Sequence, residues 1–470
     1  MNPLAVLRAV CLATLPASFA TAQSLGCHDL GGILPIQQQL LATSAFSGSN
    51  AVRLDAASGP LLEQAVGTLT PVSQVAIASA TKTLSAAVLM SLVDSRHVQL
   101  DDFVGQYLPE WNTGAKAAIT LRMCFAHTSG MPNGAAAISD DTITLRQAAA
   151  QLATLPLQSL PGAAFAYGGV SMHVAGAVCE VATGQSWATL FAQRVTAPLG
   201  MTATDFGAFG PTQNPRIAGG AQSTLRDYAR FVAMLRNRGT WNGVQVLSAQ
   251  SVDTMLTAQT VGIPVVGSPH PDNAPYGIGI WIDRRDAQGR TLLASGVGAF
   301  GFAGWVDRVH DLSGTFAVRY LNQITYPYLE RIYGEVDAAV LPAGWQCLGA
   351  ATPACTQPVW TNGTRVAKSG TSDAAVRVDR APAGLPGVLL LGDPLPSGLP
   401  VADMTAFVGP QGTVVAALLA DGAGRASLPV SLVGVPAGAF VGLQTVWLSP
   451  SGCALLGLQA SHALRLDVLP

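Results

Sequence analysis

Ser79 and Lys82 are the residues whose types and spacing most clearly suggest chemistry. They stand three positions apart at the start of an Ala-rich apolar segment that predicts a helix, where side chains three apart share one face. Only three of the 25 basic residues are lysines, so arginine serves wherever a plain positive charge suffices. A buried lysine can lose its proton and act as a base, which arginine cannot. The pair therefore predicts an activated serine nucleophile, although S-x-x-K alone also describes an ordinary surface serine and lysine.

The elements that must position this pair alternate along the chain. Strands are predicted before Ser79 at residues 51–54 and 61–66. Helices are predicted at 79–94, 119–126, 144–154, 170–183, 187–197 and 224–238. Strands return at 276–283, 291–294, 304–309 and 314–320, and a closing helix is predicted at 328–340. Helices inserted between early and late strands predict a discontinuous α/β domain with an all-helical insert and a cleft between them.

Composition and the first residues indicate where the protein acts. Charged residues make up 11% of the 470, the net charge is −2, and no basic patch or tail is present, which argues against nucleic acid and anionic membranes as partners. Residues 1–22 have the pattern of a secretory signal: Arg8, an apolar stretch, and Ala20-Thr21-Ala22 before Gln23. No later segment reaches the length of a membrane-spanning helix. We therefore predict a secreted or periplasmic protein.

Cysteine usage agrees with export. Removal of residues 1–22 leaves six cysteines, which are Cys27, Cys124, Cys179, Cys347, Cys355 and Cys453. An even count in an exported protein permits three disulfides, with fifteen possible connectivities. Cys347 and Cys355 are the nearest pair in the chain. No Cys/His spacing fits a metal site, and we expect no metal and no other cofactor.

The composition shifts near residue 341. Residues 342–358 contain two cysteines and little periodicity, which predicts a linker. From 359 to 470, short Val-, Leu- and Ala-rich runs are broken by Gly, Pro and Asp, as in a small β-sandwich. This module carries no His, Asp and Ser constellation, so we expect it to pack or to bind a surface or polymer.

A series of motifs makes the sequence resemble a known family. In chain order they are Ser79-Ala80-Thr81-Lys82, Leu100-Asp101-Asp102, Tyr107-Leu108-Pro109-Glu110-Trp111, Ile119-Thr120-Leu121-Arg122, His127-Thr128-Ser129-Gly130-Met131-Pro132, Pro198-Leu199-Gly200-Met201 and Ala218-Gly219-Gly220-Ala221-Gln222-Ser223-Thr224. The series resembles the serine β-lactamase and penicillin-binding-protein superfamily, in the branch of class C β-lactamases, D-aminopeptidases and esterases. The resemblance covers residues 40–340. It implies an α/β (α+β) fold over residues 23–341, with an antiparallel sheet domain, an all-helical domain and the active site between them.

The resemblance also implies a second proton carrier. The family places a Y-x-N motif 85–90 residues after the nucleophile, and Tyr167-Gly168-Gly169 falls at that spacing. Tyr167 would then pass protons between the serine and the leaving group. Gly169 replaces the asparagine that helps hold a substrate amide, and Ser171 is our expected substitute.

The third family motif, K-[TS]-G on a strand edging the cleft, is placed at Gly296-Val297-Gly298. The N–H groups of Ser79 and Ala299 would then form the oxyanion hole, with Gly298 and Phe300 also lining the substrate site. Position 296 lacks the family's cation, which leaves no obvious carboxylate clamp.

Three other motifs are weaker candidates. Residues 296–301 spell the dinucleotide pattern G-x-G-x-x-G, but a strand rather than a helix is predicted after them. Lys368-Ser369-Gly370 spells K-[TS]-G inside the β module, beyond the hydrolase segment. His127 lies in a turn that the family uses structurally. The chain contains no G-x-S-x-G elbow, which argues against a Ser-His-Asp triad.

These features together predict a secreted serine hydrolase that forms an acyl-enzyme. Its substrate is expected to be a small-molecule or polymer ester or amide. Without the asparagine and the carboxylate-binding cation, the site suits esters best, so a carboxylesterase is our first interpretation. A D-stereospecific peptidase or weak β-lactamase remains an alternative. A catalytically degraded binding protein is the alternative from another class.

Overall fold

The computed structural model describes residues 30–57, 59–342, 345–347, 359–363, 374–401, 404–409, 413–448, 458–461 and 463–469. The chain divides into two compact units, with Ile33–Tyr333 forming one and the chain from Gly334 onward belonging to the other. The predicted signal, Cys27, Cys355, Cys453 and Lys368-Ser369-Gly370 lie outside the described residues. The predicted domain boundaries at 341 and 358 stay predictions.

An antiparallel sheet of six strands organises the first unit. The strands of this unit are β1 Asn50–Ala56, β2 Gly59–Val66, β3 Val75–Ala76, β4 Phe165–Ala166, β5 Gln222–Ser223, β6 Thr240–Trp241, β7 Val244–Gln245, β8 Val265–Gly267, β9 Trp281–Arg285, β10 Thr291–Val297, β11 Ala303–Asp307 and β12 Leu312–Val318. The main sheet has the order β2-β1-β12-β11-β10-β9. Because β1 pairs with β12, the earliest and the latest strands meet, as the discontinuous-domain prediction requires.

Helices fill the long insertion between β2 and β9 and flank the sheet. They are α1 Ile33–Thr43, α2 Thr81–Asp94, α3 Leu121–Phe125, α4 Leu145–Leu152, α5 Val170–Thr183, α6 Trp187–Phe191, α7 Leu225–Arg236, α8 Ala249–Met255 and α9 Asn322–Ala339. A π-helical turn at Ala192–Thr196 and a last turn at Ala197–Leu199 extend α6. Every residue of α2 from Thr81 to Leu92 is buried, which explains why the sequence of this helix has no continuous polar face.

Most predicted elements are confirmed, and two are corrected. The predicted strand 276–283 is wrong in its first half, because Gly277 donates to the carbonyl of Ile280 and closes a bend. Gly279 in this bend has φ +73°, a conformation that glycine adopts without strain. The closing helix begins at Asn322 rather than 328 and contains Pro327.

Strands are the regular elements of the second unit in the described residues from Trp345 onward. They are β13 Trp345–Cys347, β14 Trp360–Gly363, β15 Ala374–Asp379, β16 Pro386–Gly392, β17 Pro394–Val401, β18 Met404–Val408, β19 Thr413–Leu419, β20 Ala426–Val430, β21 Phe440–Leu448, β22 Leu458–Ala460 and β23 Leu464–Asp467. One sheet has the order β13-β23-β21-β16-β19 with β22 on β21, and another has the order β14-β15-β20. Val376 and Val378 of the smaller sheet share a core with Leu389 and Trp447 of the larger one. This region is therefore a small all-β module, and β13 falls within the segment predicted as a linker.

The disulfide expectation needs correction for two cysteines. Cys124 and Cys179 are buried free thiols, so the set of six cysteines cannot form three bridges. Burial also raises the pKa of both thiols. Within the described residues, none of the helices combines the length and apolar character needed to cross a bilayer.

Candidate active site

Ser79 lies in a strained turn at the start of α2. Ala78 has φ +45°, a left-handed conformation that is costly for a residue with a side chain, by about 1–3 kcal/mol. Ile77 donates to the carbonyl of Ala221 and accepts from Ala80, which fixes the turn from both sides. The turn continues through Ala78–Ala80 directly into the buried helix α2. The chain therefore presents Ser79 at a rigid helix start, partly exposed while its neighbours are buried.

Lys82 is buried directly beside the serine. Its Nζ lies 3.0 Å from Ser79 Oγ and donates to the carbonyl oxygen of Ala218 at 2.9 Å. Only 4% of Lys82 is exposed. The S-x-x-K spacing thus brings the hydroxyl and the amine into contact, as predicted.

Tyr167 completes the surroundings of the amine. The Nζ of Lys82 lies 4.4 Å from the centroid of the Tyr167 ring, so the amine meets the ring face. The Tyr167 N–H donates to the carbonyl of Gly267 in β8, which anchors this loop. The ring stacks on Trp281 at 5.1 Å with an interplanar angle of 18°. The structure therefore brings Tyr167 next to Lys82, and the contact is between the amine and the face of the ring rather than between the amine and the hydroxyl.

The end of β10 approaches the nucleophile turn closely. A Cβ at Gly298 would lie 2.1 Å from the carbonyl oxygen of Ile77, so only glycine allows this approach. Gly298 donates to Phe302 and accepts from Gly301, which turns the chain away from the strand. Neither the Ser79 N–H nor the Ala299 N–H donates to an acceptor in the described part of the chain. This arrangement leaves two backbone donors free near the serine, and Phe300 in the same turn is 38% exposed.

Position 296 has no room for a side chain. A Cβ at Gly296 would lie 2.5 Å from Thr83 Oγ1 and 3.2 Å from the Tyr228 hydroxyl oxygen. Tyr228 is fully buried and donates to the carbonyl of Ala80, and burial raises its pKa. These two side chains therefore occupy the space that the first atoms of a lysine or histidine side chain at position 296 would need.

The substitute predicted for the missing asparagine is wrong. Ser171 is 6% exposed, and its hydroxyl donates to the carbonyl of Cys124 at 2.9 Å, inside the helical core. The serine is the second residue of α5, and its Oγ is held by the chain of α3. Gly169 precedes α5 as its N-cap residue, and its N–H donates to Asn133. Gly169 therefore lies at the predicted place but contributes no side chain.

His127 is enclosed by aromatic rings. Its ring centroid lies 4.6 Å from that of Tyr167 and 4.9 Å from that of Tyr276. Neither ring nitrogen has a hydrogen-bond partner among the residues that the structure describes. Burial, and then the nearby Lys82, hold the pKa of His127 well below its usual value. The residue has φ +59° and lies in a turn, in agreement with its predicted structural role.

The dinucleotide pattern at residues 296–301 is followed by strand β11 and not by a helix. This observation confirms its rejection as a nucleotide site, because that motif needs a helix N-terminus for the phosphates.

Sequence reasoning missed three contributors to the site. The carbonyl of Ala218 holds Lys82, Trp281 supports Tyr167, and Tyr228 braces the nucleophile turn. Ala218 begins one of the family motifs found in the sequence, so a position near the active site could have been predicted for it. Trp281 and Tyr228 carry no local signal, because their roles depend on how β9 and α7 pack.

The chain belongs to the beta-lactamase family, whose family model matches residues 47–327. It is a serine hydrolase with the β-lactamase and transpeptidase-like fold.

Relatives and solved structures agree with this assignment. A putative β-lactamase from Bacteroides dorei DSM 17855 matches with 28% identity and a TM-score of 0.60, covering 66% of this chain and 98% of that one. The D-alanyl-D-alanine-carboxypeptidase/endopeptidase AmpH of Escherichia coli (strain K12) is 27% identical over 259 residues, which is 49% of this chain and 66% of AmpH. Esterase EstB of Burkholderia gladioli is 34% identical over 143 residues, or 27% of this chain and 36% of EstB. The matched segments thus span two thirds or less of these two relatives.

Proposed function

We propose that this protein is a secreted or periplasmic carboxylesterase that forms an acyl-enzyme on Ser79. The observation that carries the proposal is the contact of a buried lysine amine with the serine hydroxyl at 3.0 Å. A serine hydroxyl needs an adjacent base to become a nucleophile at neutral pH. Lys82 is the group in contact with it.

The proposed reaction requires Lys82 to act as a neutral amine when Ser79 attacks the substrate. A neutral amine has two N–H groups and one lone pair. Nζ donates to the Ala218 carbonyl, lies over the Tyr167 ring and is 3.0 Å from Ser79 Oγ, so in the proposed reaction the lone pair of the neutral amine would accept the Ser79 O–H. In this state Lys82 can take the serine proton as Oγ attacks.

The reaction then proceeds in two halves. Ser79 Oγ bonds to the ester carbonyl carbon, and the N–H groups of Ser79 and Ala299 stabilise the oxyanion. Collapse breaks the bond to the alcohol oxygen, which receives the proton through Lys82 and Tyr167. Water then attacks the acyl-enzyme and gives its proton to the same two residues, Lys82 and Tyr167. They return a proton to Ser79 Oγ as the bond to the acyl group breaks and the carboxylic acid leaves. In this scheme the Tyr167 ring stays stacked on Trp281, and the O–H bond rotates about the C–O bond to point toward the serine during the proton transfers.

The closed position 296 favours esters over amides. Thr83 and Tyr228 fill that space, and Ser171 points into the core, so neither a cation nor an amide-holding side chain stands at the expected positions. Esters need less help than amides because an alkoxide leaves more easily than an amine. A groove of about 550 Å³ lies beside Phe300, with both apolar and polar lining that includes Ala76, Gln222 and Arg319, and in this proposal it receives the part of the ester that extends away from Ser79. The likeness to esterase EstB supports the same substrate class.

A D-stereospecific peptidase or weak β-lactamase is the second candidate, and the likeness to AmpH favours it. The remaining alternative, a degraded binding protein, is disfavoured because the Ser79–Lys82 contact is intact.

Parallel assays separate the three possibilities. The purified protein is tested with p-nitrophenyl acetate and butyrate, with nitrocefin, and with a D-alanyl-D-alanine peptide, beside Ser79→Ala. We expect turnover of the esters that Ser79→Ala abolishes, and little turnover of the other two. Faster cleavage of nitrocefin or the peptide would assign the second candidate, and inactivity on all substrates would assign the binding protein. Sequencing the mature N-terminus from a bacterial host tests export, since cleavage before Gln23 is expected.

A further inference from the structure

A buried polar cluster lies behind the aromatic residues that hold Tyr167. His270 Nε2 lies 3.2 Å from Asp283 Oδ1, and the same oxygen accepts from the Ser295 hydroxyl at 3.2 Å. The side chains of His270 and Asp283 are only 5% and 8% exposed. The Tyr326 hydroxyl lies 3.4 Å from His270 Nε2. The cluster therefore joins the loop after β8 to β9, β10 and α9.

The hydrogen bonds fix both the tautomer and the orientation of the His270 ring. Nδ1 accepts the backbone N–H of Asp272 at 3.2 Å, so this nitrogen carries no proton. Nε2 then carries the proton and donates to Asp283. A ring held at both nitrogens cannot rotate or flip without breaking one of these bonds.

This ring packs on the residue that supports Tyr167. The ring centroids of His270 and Trp281 are 5.0 Å apart, and Trp281 stacks on Tyr167 at 5.1 Å. Tyr276 and Phe165 also pack edge-on against Trp281, at 4.7 Å and 5.9 Å. Trp281 is 4% exposed, so it is confined between its neighbours. Contacts therefore run from Asp283 through His270 and Trp281 to Tyr167, and His270 is the member of this path that carries a hydrogen-bonded polar ring.

Retention of this cluster is costly for stability. Asp283 Oδ2 is buried without a hydrogen-bond partner among the described residues. A buried carboxylate oxygen without a partner destabilises the folded state, and an apolar residue would avoid that penalty. A role in the reaction gives a physical reason for keeping the histidine and the carboxylate together.

We propose that His270 is a positioning residue, which acts through Trp281 to hold the Tyr167 ring against Lys82. The inference rests on the proposed role of Tyr167 in proton transfer. Its consequence is specific: loss of His270 should impair the chemical step, and only while Tyr167 has its hydroxyl. Small displacements of a proton-transfer group can lower rates by up to about 100-fold.

The test is a double-mutant cycle on the full-length protein. His270→Ala is made in the wild-type chain and in Tyr167→Phe, and kcat and KM for p-nitrophenyl butyrate are normalised to the active sites titrated with a fluorophosphonate. In the wild-type chain we expect kcat to fall about 10- to 100-fold with KM nearly unchanged. In Tyr167→Phe we expect less than a further twofold change. His270→Gln can still donate to Asp283 and should recover most of the lost kcat.

A matched control comes from a second buried histidine–carboxylate pair. His310 Nδ1 lies 2.6 Å from Asp307 Oδ2, at the end of β11 opposite to the Val297–Ala303 pairing near the site. His310→Ala should lower thermal stability but leave kcat per titrated site unchanged. If His270→Ala does not fold, Asp283→Asn in both backgrounds replaces it, with the same expectation.

The outcomes separate this inference from the proposed function. Equal losses of kcat in both backgrounds, or an unchanged kcat per titrated site in His270→Ala, would overturn the positioning role alone. Full activity in Tyr167→Phe would overturn the proton-transfer role of Tyr167 and this inference with it.

Discussion

The Nζ of Lys82 lies 3.0 Å from Ser79 Oγ, although the two residues belong to different helical segments, a 3₁₀ turn and an α-helix. Ala78, directly before the serine, has a left-handed conformation with φ +45°. The contact therefore follows the S-x-x-K spacing and lies directly after a strained residue. Backbone strain of this kind often marks sites where geometry serves the reaction.

Lys82 and Tyr167 should behave as one functional unit. We expect Lys82→Ala and Tyr167→Phe each to lower kcat by roughly two to four decades, which is the usual contribution of acid–base groups. The double variant should be little worse than either single variant, because groups acting together lose activity non-additively. Steady-state kinetics on p-nitrophenyl butyrate measures this. Lys116→Ala is the control and should keep full activity, because this lysine donates to the Ala153 carbonyl and packs on Trp111. Multiplicative losses in the double variant would argue against a shared pathway.

Gly298 should be essential for the geometry of the oxyanion hole. In Gly298→Ala, the new methyl group would lie 2.1 Å from the Ile77 carbonyl and push β10 away from the nucleophile turn. We expect kcat/KM to fall at least about 100-fold, since removing one oxyanion donor costs about 10²–10³ in rate. Gly134→Ala is the matched control, because a Cβ there meets nothing within 4 Å. Similar activities in the two variants would show that Ala299 is not a donor to the oxyanion.

His173 should make stability depend on pH. Burial lowers its pKa to about 4, below the usual value near 6.5. Its Nε2 bonds Asn214 Oδ1 at 2.7 Å, while Nδ1 has no partner in the described residues, so a second proton would be buried without an acceptor. The unfolded chain therefore binds the extra proton first. The free energy of unfolding is therefore unaffected by protonation of His173 above about pH 6.5. As the pH falls from 6.5 toward 4, protonation of His173 in the unfolded chain lowers that free energy by about 3 kcal/mol in total.

Urea unfolding of the wild type and of His173→Gln from pH 7 to pH 4 measures this effect. Glutamine can donate a hydrogen bond to Asn214 but does not titrate. The free energy of unfolding of His173→Gln should therefore fall less over this range than that of the wild type. Parallel pH profiles for the two proteins would exclude His173 as a source of the dependence.

The β module should be dispensable for chemistry on soluble substrates. A chain ending at Pro342 keeps α9 and all six strands of the main sheet. We expect it to retain kcat on p-nitrophenyl acetate, although binding to an insoluble polymer or surface should be lost if the module serves that role. Lys368→Ala in the full chain should also remain active. Loss of turnover in either protein, with circular dichroism unchanged, would place the Lys368-Ser369-Gly370 motif in the cleft.

Local patterns predicted the elements that carry their own signals. The apolar segment after Ser79 and the run at 170–183 became α2 and α5. The bend at Tyr276 was missed because its residues are apolar and aromatic, as in a strand, while Gly277 and Gly279 decide the conformation.

Side-chain direction was harder to predict than position. Ser171 stands at the expected place in α5, but its hydroxyl is drawn to the free carbonyl of Cys124. The sequence shows that position 296 is a glycine, without the cation of the family motif. It does not show why a larger side chain is excluded there. Thr83 and Tyr228 reach that space from α2 and α7, through packing that joins distant parts of the chain.

Covalent labelling of Ser79 tests the central claim most directly. The protein is treated with a fluorophosphonate probe, digested, and analysed by mass spectrometry beside Ser79→Ala and Lys82→Ala. We predict one added mass on the peptide containing Ser79, no labelling of Ser79→Ala, and much slower labelling of Lys82→Ala because the serine has lost its base. Labelling at another residue, or equal labelling of Ser79→Ala, would contradict the assignment of Ser79 as the nucleophile.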